Sequence, residues 1–149
     1  MIEESFVVWN DSLSVGFDPI DNQHKQLVDM TNELIQACKD GAVAADLTFM
    51  QTVDKAVDYA KVHFATEEKY MNMVHYPELP EHKKQHFQFL FDVVNVLNEV
   101  QAGNTTPIQM VRILKNWLAQ HIAKTDMQYA PYLRKLKDLP PERRHIRLT

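Results

Sequence analysis

Hydrophobic residues recur along this chain in steps of three and four positions, the period that is typical of amphipathic α-helices. The first such run follows Asp18-Pro19, where the aspartate is predicted to cap a helix and the proline to occupy its first position. Gly41 is predicted to end this helix. Residues 1–17 lack a helical period and are expected to form an arm that packs across the domain, anchored by Trp9.

The second and third runs have start and stop signals of their own. Asp46 is a candidate cap for the second helix, and the segment before Pro77 is predicted to end it, because a residue that precedes proline disfavours the helical conformation. The third helix is predicted to run from near Pro80 to about Ala102, with Gly103 as its terminator.

The fourth run opens at Thr106-Pro107, where the threonine is predicted to cap the helix. Pro131 is predicted to stop or kink this helix, with residues 132–138 forming a last short helical turn. Four long helices joined by short loops, each with one apolar face, predict an all-α fold, an antiparallel up-and-down four-helix bundle with an N-terminal arm. We expect a single domain over residues 1–149, with the arm at 1–17, the bundle and its short C-terminal helix at 18–138, and a tail at 139–149.

Composition and charge narrow the classes of function. Of the 149 residues, 45% are hydrophobic and 24% are charged, which is typical of a soluble globular protein. The formal net charge of −4 argues against a general nucleic-acid binder, which needs an excess of basic residues to contact phosphates. The N-terminus is acidic without a following apolar run, and no stretch approaches the roughly 20 apolar residues of a membrane span, so a soluble cytoplasmic protein is expected. The single cysteine, Cys38, excludes a thiolate cluster, so that a metal site would use imidazole and carboxylate.

Polar side chains that can bind metals interrupt the apolar stripes of all four helices. His82 and His86 lie four residues apart and therefore project from one helix face, whereas Lys83, Lys84 and Gln85 are expected to point away from it. The complete set on the four stripes is His24, His63, Glu67, His82, His86, His121 and Asp126.

A single histidine on an apolar face is more often a hydrogen-bonded core residue than a metal ligand. Hydrogen-bonded core residues are a much poorer explanation when all four helices carry such side chains. In addition, burying a carboxylate without a partner costs free energy. His24 and His82 lie early in their helices, whereas His63 and His121 lie late. In an antiparallel bundle these positions are level, so the side chains can meet at one end.

Five imidazoles and two carboxylates exceed the needs of one ion, which favours two metals. Without thiolates, a di-iron centre is the best match to this donor set. One spacing does not fit a regular helix, because residues five apart, such as His121 and Asp126, lie about 140° apart around the axis. We therefore predict a local widening of the fourth helix, of the π-bulge type that occurs at functional sites.

These residues resemble the hemerythrin family, and within it the single-domain bacteriohemerythrins. The resemblance covers roughly residues 6–135. It rests on Trp9 to Gly16 followed by Ile20-Asp21-Asn22-Gln23-His24-Lys25, on His63-Phe64 with Glu67, on Glu81-His82-Lys83-Lys84-Gln85-His86, and on Trp117-Leu118 before His121-Ile122, Asp126 and Tyr129.

The resemblance implies a role for each ligand. His82, His86 and His121 would hold one iron, and His24 and His63 the other. Glu67 and Asp126 would bridge the two non-haem irons (Fe2+/Fe3+) together with an oxo or hydroxo group. The iron with two imidazoles would keep an open position for dioxygen.

The function that the resemblance implies is reversible oxygen binding, for carriage, storage or delivery, with an unidentified oxygen-consuming protein as a conceivable recipient. A di-iron enzyme acting on peroxide or nitric oxide, or an oxygen sensor, is the alternative. A dry, tight pocket would protect the bound oxygen, and its candidate wall residues are Phe64, Leu118 and Ile122. Gln23 and Tyr129 are candidate hydrogen-bonding partners of the ligands.

Overall fold

The fold is described by a computed structural model for residues 5–137, with side chains described through Leu133. These residues form a short 3-10 turn, Asp11–Leu13, and long helices without any strand. The helices are α1 (Asp18–Asp40), α2 (Ala42–Met73), α3 (Leu79–Gln101), α4 (Ile108–Asn116), a π-helical segment (Trp117–Asp126) and α5 (Met127–Lys137). Because α4, the π segment and α5 follow one another without a break, the predicted four-helix bundle is confirmed.

The helix starts differ from those expected from the capping residues. Phe17 is the N-cap of α1, so Asp18 is the first helical residue and adds its negative charge to the first turn instead of capping it. Likewise α4 begins after Pro107, which is itself the N-cap, so the predicted capping role of Thr106 is wrong.

The connection between α1 and α2 is a single residue, Gly41. Its φ of 123° lies in a region that residues with a side chain rarely adopt, which lets the chain reverse direction at once. Consequently α2 begins at Ala42, and Asp46 lies inside the helix on an exposed face instead of capping it.

Pro131 does not end the last helix, which continues through it to Lys137. A proline removes one backbone donor and crowds the carbonyl group four residues earlier, here that of Met127, where the π-helical register has just ended. The buried residues Tyr129, Ala130 and Leu133 pack into the core on both sides of the proline, and this packing keeps the segment helical.

The arm contacts the bundle through backbone and side chains. The backbone N–H and carbonyl group of Val7 both bond to the side-chain amide of Asn32, at 2.7 and 2.8 Å. Trp9 is only half-buried, with the Lys25 ammonium 5.2 Å from its ring centre, whereas Leu13 and Val15 are buried. The deeper anchors of the arm are therefore these two aliphatic residues. Its first four residues and the predicted tail, 139–149, lie outside the described residues.

Two apolar clusters divide the core along the bundle axis. The larger cluster extends to the α1–α2 turn and includes Leu27, Phe64 and Leu118. The smaller cluster lies at the end where α5 packs, and includes Ile20 and Tyr129. Since α1, α2 and the last helix each pass from one cluster to the other, the predicted metal-binding residues lie between the two. Over residues 5–137, no helix is long and apolar enough to cross a membrane.

Candidate metal centre

Helices α1 and α2 contribute three side chains that approach one another closely. His24 is fully buried on α1, and its Nε2 atom lies 3.1 Å from Nε2 of His63 on α2. Glu67 follows His63 by one helical turn, which places its Oε1 atom 2.7 Å from the same Nε2 atom. The imidazoles and the carboxylate thus face a common point instead of separate neighbours.

Helix α3 contributes His82 and His86, whose rings meet edge to face with centroids 4.6 Å apart. The ring of Phe64 stacks flat on His86, with centroids 3.9 Å apart and an interplanar angle of 2°. This stacking restricts rotation of the imidazole, so His86 is oriented before any metal binds.

The π segment carries His121 and Asp126. In a regular α-helix their five-residue separation would turn the two side chains away from each other. The wider π turn brings them to the same side, with Nε2 of His121 3.0 Å from Oδ1 of Asp126. The predicted widening is confirmed, although it spans Trp117–Asp126 and is therefore longer than a single-residue bulge.

The buried donors form two groups, each able to hold a metal ion. Within each group, one donor atom per residue lies within 4.8 Å of the others. One group is Glu67, His82, His86 and His121, and the other is His24, His63, Glu67 and Asp126.

Each carboxylate reaches ligands of both groups. Glu67 belongs to both, with its Oε1 atom 2.7 Å from Nε2 of His63 and 3.4 Å from Nε2 of His86.

Asp126 spans the groups in the same way. Its Oδ1 atom lies 2.9 Å from Nε2 of His82, and its Oδ2 atom lies 3.2 Å from Nε2 of His24. This arrangement suits carboxylates that bridge two metal ions.

The donor atoms themselves support metal binding. Six fully buried atoms at the centre lack a hydrogen-bond partner in the described part of the chain, despite their short separations, because they point at a shared point and not along hydrogen-bond directions. They are Glu67 Oε1, Nε2 of His82, His86 and His121, and both carboxylate oxygens of Asp126. Leaving such groups unsatisfied is costly in a folded protein, so the residues present fit a metal centre well.

Three histidines of the centre, His63, His86 and His121, are hydrogen-bonded to neighbouring side chains through Nδ1, the ring nitrogen that faces away from the centre. Nδ1 of His63 lies 2.6 Å from Oε1 of Gln23, and Nδ1 of His121 lies 2.8 Å from Oε1 of Gln85. Because an amide oxygen only accepts, Nδ1 carries the proton in both rings. The lone pair of Nε2 then faces the centre, as metal binding requires.

His86 differs in having a carboxylate as its partner, because its Nδ1 atom lies 2.8 Å from Oε2 of Glu68. Neither Glu68 nor Gln85 was expected here, and the prediction that Gln85 points away from the core is wrong. The sequence held an ambiguous signal, since glutamine directly precedes a candidate ligand at Gln23-His24, at Gln85-His86 and at Gln120-His121. Gln23 and Gln85 reach across to the histidine of a neighbouring helix, whereas Gln120 accepts from Lys124 in its own segment.

In the metal-free protein, the charges of these groups stabilise one another. Burial raises the pKa of Glu67, but the surrounding histidines outweigh this effect and hold it well below its ordinary value. Burial alone lowers the pKa of His86, yet the carboxylates of Glu67 and Glu68 raise it to about 9. Burial lowers the pKa of His63 and of His121 below the ordinary value.

The pKa of Asp126 is also held below its ordinary range, because the histidines, with His121 first, outweigh burial and the charge of Glu67. Both carboxylates are therefore ionised at neutral pH and able to bind a cation.

The two residues predicted as partners of the ligands both contact them. Gln23 accepts from His63, as described above, and its amide nitrogen lies 3.3 Å from Oγ1 of Thr66. The hydroxyl group of Tyr129 donates to Oε2 of Glu67. Burial raises the pKa of Tyr129 well above its ordinary value, so the phenol stays protonated and remains a donor.

The three predicted wall residues of an oxygen pocket are all buried in the larger apolar cluster. Phe64 lies against His86, on the side of the three-histidine group, whereas Leu118 and Ile122 flank His121 along the π segment. Their role as a pocket wall stays a prediction.

Two surface grooves reach the outer edges of the histidine rings. One, of about 380 Å³, lies between α1 and α2 and is lined by Gln23 and His63. The other, of about 440 Å³, lies between α3 and the π segment and is lined by Gln85 and His121. In both grooves the glutamine is the hydrogen-bond partner of the histidine, so the grooves meet the imidazoles on the side that faces away from the centre.

Comparison with known proteins agrees with the geometry. Residues 15–133 match the Hemerythrin HHE cation binding domain. The chain is 35% identical over 126 residues to a bacteriohemerythrin of Stenotrophomonas maltophilia, covering 85% of this chain and 80% of that protein. It is 31% identical over 122 residues to a myohemerythrin of Riftia pachyptila, covering 82% and 89%. A crystal structure of wild-type hemerythrin superposes with a TM-score of 0.71 at 25% identity, covering 87% of this chain and 98% of that one.

Proposed function

The chain belongs to the hemerythrin family, and from that premise we propose that it binds dioxygen reversibly at a non-haem di-iron centre. The observation that carries the proposal is the pair of buried donor groups that share Glu67. When bound, the two ferrous ions supply the electrons that dioxygen takes up on binding and gives back on release. The protein contributes the ligands, their orientation and a dry environment.

The ligand assignment follows from the two groups. His82, His86 and His121 would hold one iron and His24 and His63 the other, with Glu67 and Asp126 bridging them. The second iron has one imidazole fewer, so it would keep an open position. This difference makes it the site at which oxygen would bind.

The surroundings favour binding over turnover of a larger substrate. Glu67 and Asp126 are 0% exposed, so solvent reaches neither bridging carboxylate. The two grooves end on the outer edges of His63 and His121 and not at their metal-facing nitrogens. Excluding water from the centre limits the side reactions that would leave the iron in an inactive ferric state.

Spectroscopy during oxygen cycling tests the proposal. Protein loaded anaerobically with Fe2+ should hold two irons per chain, develop visible charge-transfer bands in air and lose them under vacuum, over repeated cycles. Rapid one-way conversion to the ferric form would contradict it. Sustained consumption of peroxide or nitric oxide would support an enzyme instead.

A further inference from the structure

Two polar groups that the ligand set does not use are buried beside the centre. Neither the hydroxyl group of Tyr59 nor the indole Nε1 of Trp117 reaches a partner with hydrogen-bond geometry within the described residues, although the two groups interact with each other. The side chains are only 4% and 8% exposed. Buried polar groups are nearly always satisfied in native proteins, so two neighbouring exceptions call for a functional explanation.

Both rings lie directly against histidines of the centre. Tyr59 precedes His63 by one turn of α2 and stacks on its ring, with centroids 4.9 Å apart and an interplanar angle of 18°. Trp117 stacks on His121, with centroids 3.8 Å apart and an angle of 8°. The two aromatic residues therefore flank the centre from different helices.

Two phenylalanine rings lie against both Tyr59 and Trp117. Tyr59 and Trp117 both pack against Phe64 and against Phe89, with ring centroids 4.6 to 6.4 Å apart. Neither phenylalanine offers a hydrogen-bond acceptor. The Tyr59 oxygen can accept from the indole N–H of Trp117, which, against the larger rise caused by burial, acts to lower the pKa of the phenol, but the phenol's own proton has no acceptor within the described residues. A small molecule with acceptor lone pairs would supply that acceptor.

The position of Tyr59 points to where that molecule binds. His63, on which Tyr59 stacks, belongs to the donor group with two imidazoles, the group that keeps an open position under the proposed function. We propose that Tyr59 donates a hydrogen bond to a small ligand bound at that position, either dioxygen or an inorganic anion such as azide. This inference rests on the proposed function.

Tyr59 would thus select among ligands for those that accept a hydrogen bond. The loss of one hydrogen bond to a charged ligand atom should weaken ligand binding by about tenfold to a hundredfold. Stacking on His63 positions the phenol, which therefore needs little reorganisation when the ligand arrives.

Azide binding to the diferric protein tests the inference without relying on oxygen cycling. In Tyr59→Phe, which keeps the ring and its stacking, the dissociation constant of azide should rise about tenfold or more. The wild-type azide stretching frequency should shift between H2O and D2O, and this shift should be smaller in Tyr59→Phe. Tyr70→Phe is the matched control, because Tyr70 is a buried tyrosine of the other apolar cluster, and it should bind azide as the wild type does.

An unchanged azide affinity and isotope shift in Tyr59→Phe protein that holds two irons would overturn the inference. A gain in stability with no change in affinity would do the same, since the unpaired hydroxyl would then be only a packing defect. Wild-type protein that fails to hold two irons would overturn both this inference and the proposed function. Wild-type protein that holds two irons and cycles oxygen, while Tyr59→Phe binds azide normally, would overturn this inference alone.

Discussion

The hydroxyl group of Tyr129 donates a hydrogen bond to Oε2 of Glu67, joining residues 62 positions apart in the chain. Both side chains are completely buried. Tyr129 belongs to the apolar cluster that packs around α5, whereas Glu67 takes part in both donor groups. The contact therefore couples the packing of the last helix to the orientation of a shared carboxylate.

Replacing Tyr129 with phenylalanine should destabilise the protein by about 1.5 to 3 kcal/mol, because a buried, ionised acceptor loses its donor. Urea unfolding of the metal-free protein measures this change. Tyr70→Phe should have a smaller effect, since Tyr70 packs in the smaller apolar cluster, edge to face against Phe17. Equal stability of Tyr129→Phe and wild type would mean that the hydrogen bond contributes nothing.

Replacing His86 with alanine should lower the iron content from two per chain to one or fewer, because the three-histidine group loses a ligand that Phe64 and Glu68 hold in place. Elemental analysis of purified protein measures this. His75→Asn is the control, because His75 is exposed and its φ of 54° is one that asparagine tolerates. If His86→Ala retained two irons, the ligand assignment would be wrong.

The stability of the metal-free protein should fall between about pH 6.5 and 9. The folded-state pKa of His86 is raised to about 9, above its ordinary value of 6.5. Protonated His86 therefore contributes its full stabilisation of the folded state below pH 6.5. This contribution is lost as the pH rises through 9 and the histidine loses its proton. Because Glu68 helps to raise the pKa, Glu68→Gln should show a shallower decline in urea unfolding experiments over this range. If the stability of Glu68→Gln declined as steeply as that of the wild type, Glu68 would not be a cause of the raised pKa of His86.

Leu118→Ala should accelerate the conversion of oxygenated protein to the ferric form, because the cavity admits water beside the π segment. Its destabilisation should be about 2 to 5 kcal/mol. Leu133→Ala removes the same volume from the other apolar cluster and should be similarly destabilised without faster conversion. The rate of loss of the visible bands in air distinguishes the two variants. Equal rates would argue against Leu118 as a pocket wall.

The sequence by itself determined the helical bundle and the buried positions along it. A helix that packs on one side must bury every third or fourth residue, so His24, His63 and His82 could be assigned to the core from spacing alone. The connections were harder to predict than the helices. Gly41 alone connects two helices, and the last helix continues past Pro131 because of the packing around Tyr129. Neither outcome follows from local helix propensity.

Only the tertiary structure decided how the candidate ligands are oriented. The spacing of His121 and Asp126 showed that the helix must widen, but the length of the π segment depends on how it packs against its neighbours. The partners Gln85 and Glu68 lie on flanks of their helices and reach histidines of adjacent helices. Such contacts depend on the rotation and separation of two helices, and the periodicity of one helix carries no information about either.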